Sequence, residues 1–186
     1  MPAILDQSLH EWRDFYMLGG AACATLIGLM FVAASIASSL FTNKHLEPMR
    51  AFVTPTVVHF AAAFFVCLVA VAPGHSARSL GCILGLGALA GLAYCGRIFG
   101  LIFRRFSAGL DWEDRAFYAL IPVAGYLLLL AAAALEFDDQ PNEASLLAAI
   151  GVAVTIAAGL RNAWDMTVWM TTRPPGAEPP VPAPPE

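Results

Sequence analysis

FVTPTVVHFAAAFFVCLVAVAPGHSARSLGCILGLGALAGLAYCGRIFGLIF, residues 52–103, holds two long apolar runs, 52–72 and 80–103, parted by the short break PGHSARS. Each run reaches the roughly 20 residues that a helix rising ~1.5 Å per residue needs to cross ~30 Å of hydrocarbon. Both are apolar all round rather than along one stripe, which excludes an ordinary helical bundle in water. Working outward, the same pattern recurs at 15–41, 116–135 and 144–170. The intervening breaks are TNKHLEPMR, RRFSAGLDWED and EFDDQPNE, each mixing charges with Pro, Gly or Asn. The expected fold class is therefore all-α: a polytopic membrane bundle of five transmembrane helices, with short loops making sequential helices antiparallel neighbours.

Composition agrees. A chain of 186 residues that is 59% hydrophobic and 13% charged lies well below the charged content of soluble domains, roughly a quarter. Its mean hydropathy is +0.68. One membrane domain over 15–170 uses nearly the whole chain and leaves no room for a separate soluble catalytic domain. The net charge of −4 gives no reason to expect nucleic acid as a partner. Residues 1–14, MPAILDQSLHEWRD, do not read as a secretory signal, because they lack a basic start and carry Asp6, Glu11 and Asp14. Ile4, Leu5, Leu9, Trp12 and Tyr16 fall near one helical face, so the segment is either amphipathic on the membrane surface or frayed. The tail 171–186 is Pro-rich, with RPPGAEPPVPAPPE holding seven of the thirteen prolines, and reads as a disordered polyproline II segment.

Counting Lys and Arg near the helix ends sets the expected orientation. Lys44, Arg50, Arg104, Arg105, Arg115 and Arg173 belong to one side, and only Arg13 and Arg78 to the other. Six against two places the first set in the cytoplasm. The odd number of spans then puts the amino terminus outside and the carboxyl terminus in the cytoplasm.

Helices gain little in lipid from burying apolar surface against each other, so small residues at four-residue spacing mark faces that approach closely. The first span has Gly20, Ala24 and Gly28; the third has Gly87 with Gly91; the fifth has Gly151, Thr155 and Gly159. These motifs predict that the first, third and fifth spans form the tight centre, with the second and fourth peripheral. Pro55 is expected in the first turn of the second span, and Pro122 to kink the fourth.

Four ionisable residues lie inside the spans: His59, Arg97, Arg161 and Asp165. On insertion scales a charged residue at a span's centre costs about 2.5–3.5 kcal/mol. The threading puts His59, Arg97 and Asp165 roughly 8–11 Å below the cytoplasmic interface, with Arg161 one turn deeper and on the same helix face as Asp165. Ser35, Ser38 and Ser39, Thr54, Thr56 and Asn162 reach similar levels. Two readings stand. In one, Asp165 neutralises an arginine and the layer is a closed hydrogen-bonded knot, Arg97 snorkelling to lipid phosphate. In the other, the layer lines a cytoplasm-facing cavity for an anion, a lipid headgroup or a proton, the second arginine favouring an anionic ligand.

Other chemistry is absent from the pattern. Cys23, Cys67, Cys82 and Cys95 lie in helices without CxxC spacing and read as buried reduced thiols. His10, His45 and His75 sit in surface segments, no HExxH occurs, and no metal or cofactor is expected. No arrangement for intramembrane proteolysis or phosphate binding is evident, so the expectation is not an enzyme.

The stretch Gly19–Leu40, GGAACATLIGLMFVAASIASSL, resembles the first helix of small five-helix bacterial membrane proteins with the pattern G-x-x-x-x-L-x-G-L-x-F-V-A-x-S. Trp12 and Phe15 precede it in similar places, and Asn162-Ala163-Trp164 resembles the ending of that family. Its members are often labelled by homology as modulators of an ATP-dependent membrane protease. The resemblance implies a multi-pass protein of the bacterial inner membrane. The expected function is a non-enzymatic accessory or regulatory protein, working through helix packing with the bilayer and a membrane protein partner or a second copy. The alternative is a small oligomeric channel or transporter for an anion or protons.

Overall fold

The computed structural model describes residues 2–40, 46–105 and 120–172, and all of its regular structure there is helical. The helices are α1 (Pro2–Glu11), α2 (Arg13–Leu40), α3 (Leu46–Val71), α4 (Ala77–Arg105), α5 (Ile121–Phe137) and α6 (Pro141–Thr172). Four of them, α2, α3, α4 and α6, are long and apolar enough to cross a membrane, and α5 is a shorter apolar helix of 17 residues. The predicted fourth span began at 116, and its first residues lie outside the described ones. So do the tail from 173 and the loop cations Lys44 and Arg115.

Local chemistry explains the helix ends. α3 stops at Pro73 and Gly74, the latter at φ +85, a left-handed conformation that suits glycine. Ser76 then caps α4: its hydroxyl accepts from the Ser79 amide at 3.2 Å, while the Ser79 hydroxyl accepts from the Ser76 amide at 3.0 Å. This reciprocal pair satisfies two otherwise orphaned donors. α5 ends where Asp139 takes φ +56, with the Asp138 amide donating to the Ala134 carbonyl and the Gln140 amide to the Leu135 carbonyl. α6 opens directly on Pro141, whose missing N–H costs nothing in a first turn. Pro122 is in the first turn of α5, so within the described residues it begins a helix rather than bending one. Pro55, by contrast, lies inside α3, because the helix starts six residues earlier than the apolar run.

α3, α6, α5 and α4 form a ring in that order. α2 packs on α3 and α6, and α1 lies on α6. Half of the residues of Thr54–Val71 and Pro141–Asp165 are buried, against 22% of Arg13–Ile36 and Ala77–Gly100. This corrects the expected centre: the second and fifth spans are innermost, and the first and third are outer. The glycines are seats, and large side chains from the supposedly peripheral helices fill them. Gly91 of α4 receives the Tyr126 ring of α5, and Gly159 of α6 receives the Phe60 ring of α3. Gly20 abuts Cys67, where an added Cβ would sit 3.3 Å from the Cys67 Cβ. At Gly151, an added Cβ would lie 3.0 Å from the Gly125 carbonyl oxygen, so the backbones of α5 and α6 come close there. Gly28 and Gly87 meet nothing within 4 Å among the described residues, so they do not act as packing seats within the chain.

The turns 72–76 and 138–140 share one end of the bundle with α1, since Gly81 packs on Glu136 and Phe137, and Ser8 reaches Pro141 and Ser145. This is the turn end. The carboxyl ends of α2, α4 and α6 point to the other.

Candidate functional site

Three buried polar groupings stand out, one in the middle of the ring, one closer to the end opposite the turns and one at the turn end. In the middle, His59 of α3 is 1% exposed, and its Nδ1 lies 3.0 Å from the Tyr126 hydroxyl of α5. The Tyr94 ring of α4 stands edge-on to the imidazole with centroids 6.3 Å apart. Three helices thus enclose one imidazole, and the glycine at 91 is what lets the Tyr126 ring approach. The hydrogen bond ties α3 to α5, which are neighbours across the ring.

Closer to the opposite end, Thr56 and Asn162 are each 1% exposed. Phe60 sits on Gly159, and α3 and α6 run antiparallel, which brings Thr56 to the level of Asn162. Neither amide atom of Asn162 has a hydrogen-bond partner. A buried amide without partners costs about 1–3 kcal/mol, so it is a place where a small polar molecule gains by binding.

The remaining residues singled out from the sequence occupy more exposed positions. Arg161 Nε pairs with Asp165 Oδ2 at 3.1 Å, but on a part-exposed face of α6. Ser35 is exposed on α2 and donates to its own helix, to the Phe31 carbonyl at 2.9 Å. Arg97 is exposed on α4. Of the six candidates, the structure therefore pairs Arg161 with Asp165 and buries His59 and Asn162. It leaves Ser35 and Arg97 on outward faces of the two outer helices.

The turn-end grouping was not singled out from the sequence. The Ser8 hydroxyl of α1 donates to the Ser145 hydroxyl at 2.9 Å and to the Pro141 carbonyl at 3.1 Å. The Tyr16 hydroxyl of α2 donates to the Ser145 carbonyl at 2.9 Å. Beside them Glu136, the first residue past the apolar run of α5, is 1% exposed, and its Oε2 has no partner. Burial pushes this carboxyl up to about 7, and Asp139 adds in the same direction. A signal did exist in the sequence: Leu129, Ala132, Ala133 and Glu136 follow helical spacing on one buried face. The charged break that follows concealed it.

α3 and α4 touch little, and between them runs an apolar cleft of about 40 Å³ lined by Ala62, Phe65, Val66, Ile83, Gly87 and Tyr126. Among the described residues, no group of three or more His, Cys, Asp or Glu side chains is placed to hold a metal ion. The cysteines are free, with Cys23, Cys67 and Cys95 buried and Cys82 exposed. Comparison of the chain with protein-family models, with curated proteins and with solved structures gives no match.

Proposed function

We propose that the chain is a non-enzymatic accessory or regulatory protein of a bacterial inner membrane, its amino terminus outside and its carboxyl terminus in the cytoplasm. It works by packing helices of a membrane partner, or of a second copy, on the outer faces of α2 and α4. The observation that supports this is the unequal use of the glycines. Gly91, Gly125, Gly151 and Gly159 each seat a side chain or backbone of a neighbouring helix, whereas Gly28 of α2 and Gly96 and Gly100 of α4 meet nothing within 4 Å among the described residues. Such small residues on a lipid-facing helix allow another helix to approach closely. The resemblance of Gly19–Leu40 to the first helix of protease-modulator-like membrane proteins agrees with an accessory role.

The test is a pair of variants, Gly28→Leu and Gly96→Leu/Gly100→Leu. Both introduce side chains into open space, so the monomer keeps its helical content and thermal stability. Recovery of the partner, or of cross-linked oligomer, falls by tenfold or more in at least one variant. Unchanged recovery in both would remove the basis for the proposal. A second reading, a small channel or transporter for an anion or protons, is favoured by the partnerless amide of Asn162. It predicts flux in liposomes that Asn162→Leu and Arg161→Ala reduce.

A further inference from the structure

α3 and α4 follow one another in the chain, yet they touch little. The cleft between them has Ala62, Val66 and Val69 of α3 on one wall and Ile83 and Gly87 of α4 on the other, with Tyr126 of α5 behind. An added Cβ at Gly87 would meet nothing within 4 Å among the described residues, so this glycine widens the cleft instead of seating a neighbour. Tyr126 is the one lining residue with a polar side chain, and its hydroxyl is already engaged with His59 Nδ1 at 3.0 Å. The cleft therefore offers an occupant no free hydrogen-bonding side chain. A headgroup or an ion would give up its hydration there without replacement.

Depth and size narrow the occupant further. Val69 lies two residues and Ala62 nine residues before the end of α3 at Val71, roughly 3 and 14 Å at ~1.5 Å per residue. That range matches the hydrocarbon of one leaflet, half of ~30 Å, on the turn side. Both walls belong to helices long and apolar enough to cross a membrane. Around the cleft the outward residues are large and apolar: Phe65 is 53% exposed, Leu68 52% and Leu86 71%. The cleft is thus continuous with the surface that meets the bilayer. Its volume of about 40 Å³ is far below the ~150 Å³ that admits a benzene ring. A ring system does not fit, nor does an aromatic knob from another helix. A methylene chain lying lengthwise does, its outer side left against the bilayer.

We propose that the α3–α4 cleft is a binding site for one acyl chain of a phospholipid in the leaflet at the turn end. A chain held there touches protein on three sides instead of one, and the added dispersion contacts offset the rotamer freedom it gives up. Water is no competitor, because an apolar cleft of this kind stays dry. Lipid thereby completes the one seam of the ring that side chains leave sparse. This inference goes beyond the accessory role proposed above and stands without it, since that role uses the outer faces of α2 and α4 and this one uses the seam between α3 and α4.

The test uses the full chain in phosphatidylcholine liposomes doped with a phosphatidylcholine that carries a photoactivatable diazirine in mid-chain, adducts being located by mass spectrometry. A chain held in the cleft labels Val66 and Val69, 7% and 8% exposed, at least threefold more per residue than the outward Leu68 and Leu86. Gly87→Leu and Ala62→Leu fill the cleft from its two walls. Each cuts the adducts on Val66 and Val69 at least fivefold and leaves those on Leu68 and Leu86 unchanged. If neither variant assembles, the distribution in the parent protein decides. Labelling that follows exposure, with Leu68 and Leu86 ahead of Val66 and Val69, overturns the proposal. So does a cleft without adducts in which Phe65→Cys, in a Cys82→Ala chain, forms a disulfide between copies, because the cleft then belongs to a second copy.

Discussion

At the residue scale, the bundle separates polar groups that are satisfied from those that are not, and the two classes answer differently to substitution. Tyr126→Phe deprives the buried Nδ1 of His59 of its partner at 3.0 Å. It is expected to destabilise the protein by about 1 kcal/mol, the order found for interhelical hydrogen bonds in membranes, measurable by reversible unfolding in bicelles. Asn162→Leu runs the other way. It removes an amide with no partner and keeps the volume, so it should stabilise by about 1–2 kcal/mol in the same assay. A loss of stability there would mean that the amide is satisfied by something bound. Position along the helices was legible for His59 and Asn162, and the structure buries both. Partnership was not legible. Tyr126 is an ordinary aromatic in an apolar run, and nothing in its spacing shows that a glycine on another helix receives its ring.

At the element scale, helix ends were more legible than helix faces. PGHSARS contains the signals that stop α3 and start α4, and the Ser76–Ser79 cap follows from residue type and spacing alone. Ser76→Ala should cost about 1 kcal/mol, with faster hydrogen exchange confined to the first turn of α4. Faces were harder to read because a glycine marks a seat without saying who sits in it. Gly87 and Gly91 look equivalent in sequence. Yet Gly91→Ala would drive a methyl into the Tyr126 ring, and Gly87→Ala meets open space. The first should destabilise by about 1–3 kcal/mol and the second by less than about 0.5 kcal/mol. Equal effects would show that the α4–α5 contact is not built as described. The same ambiguity misplaced part of the centre: small-residue motifs put the first and third spans there, whereas the knobs Phe60 and Tyr126 that fill the glycine seats come from α3 and α5.

For the whole molecule, the decisive physical fact is that the turn end is tied by side-chain hydrogen bonds between helices far apart in sequence. At the turn end, α1 and α2 are tied to α6: the Ser8 hydroxyl donates to Pro141 and Ser145, and the Tyr16 hydroxyl to Ser145. The sequence concealed this because each residue is small or neutral and 129 or more positions separate the partners. Long-range pairing of that kind leaves no periodicity. The tie nevertheless has a consequence for orientation. It fixes the amino terminus and the turns 72–76 and 138–140 to the same side, whatever that side is. The excess of Lys and Arg beyond the other end then predicts which. Single cysteines at Ser76 and Gln140 should react with an impermeant maleimide added outside right-side-out vesicles, and a cysteine at Lys44 should react only after permeabilisation. Reaction of all three from outside would deny that α3 crosses the membrane. Reaction of Lys44 alone would keep the fold and invert it in the membrane. Only the expected pattern leaves the tie of Ser8 and Tyr16 to Ser145 facing the external medium.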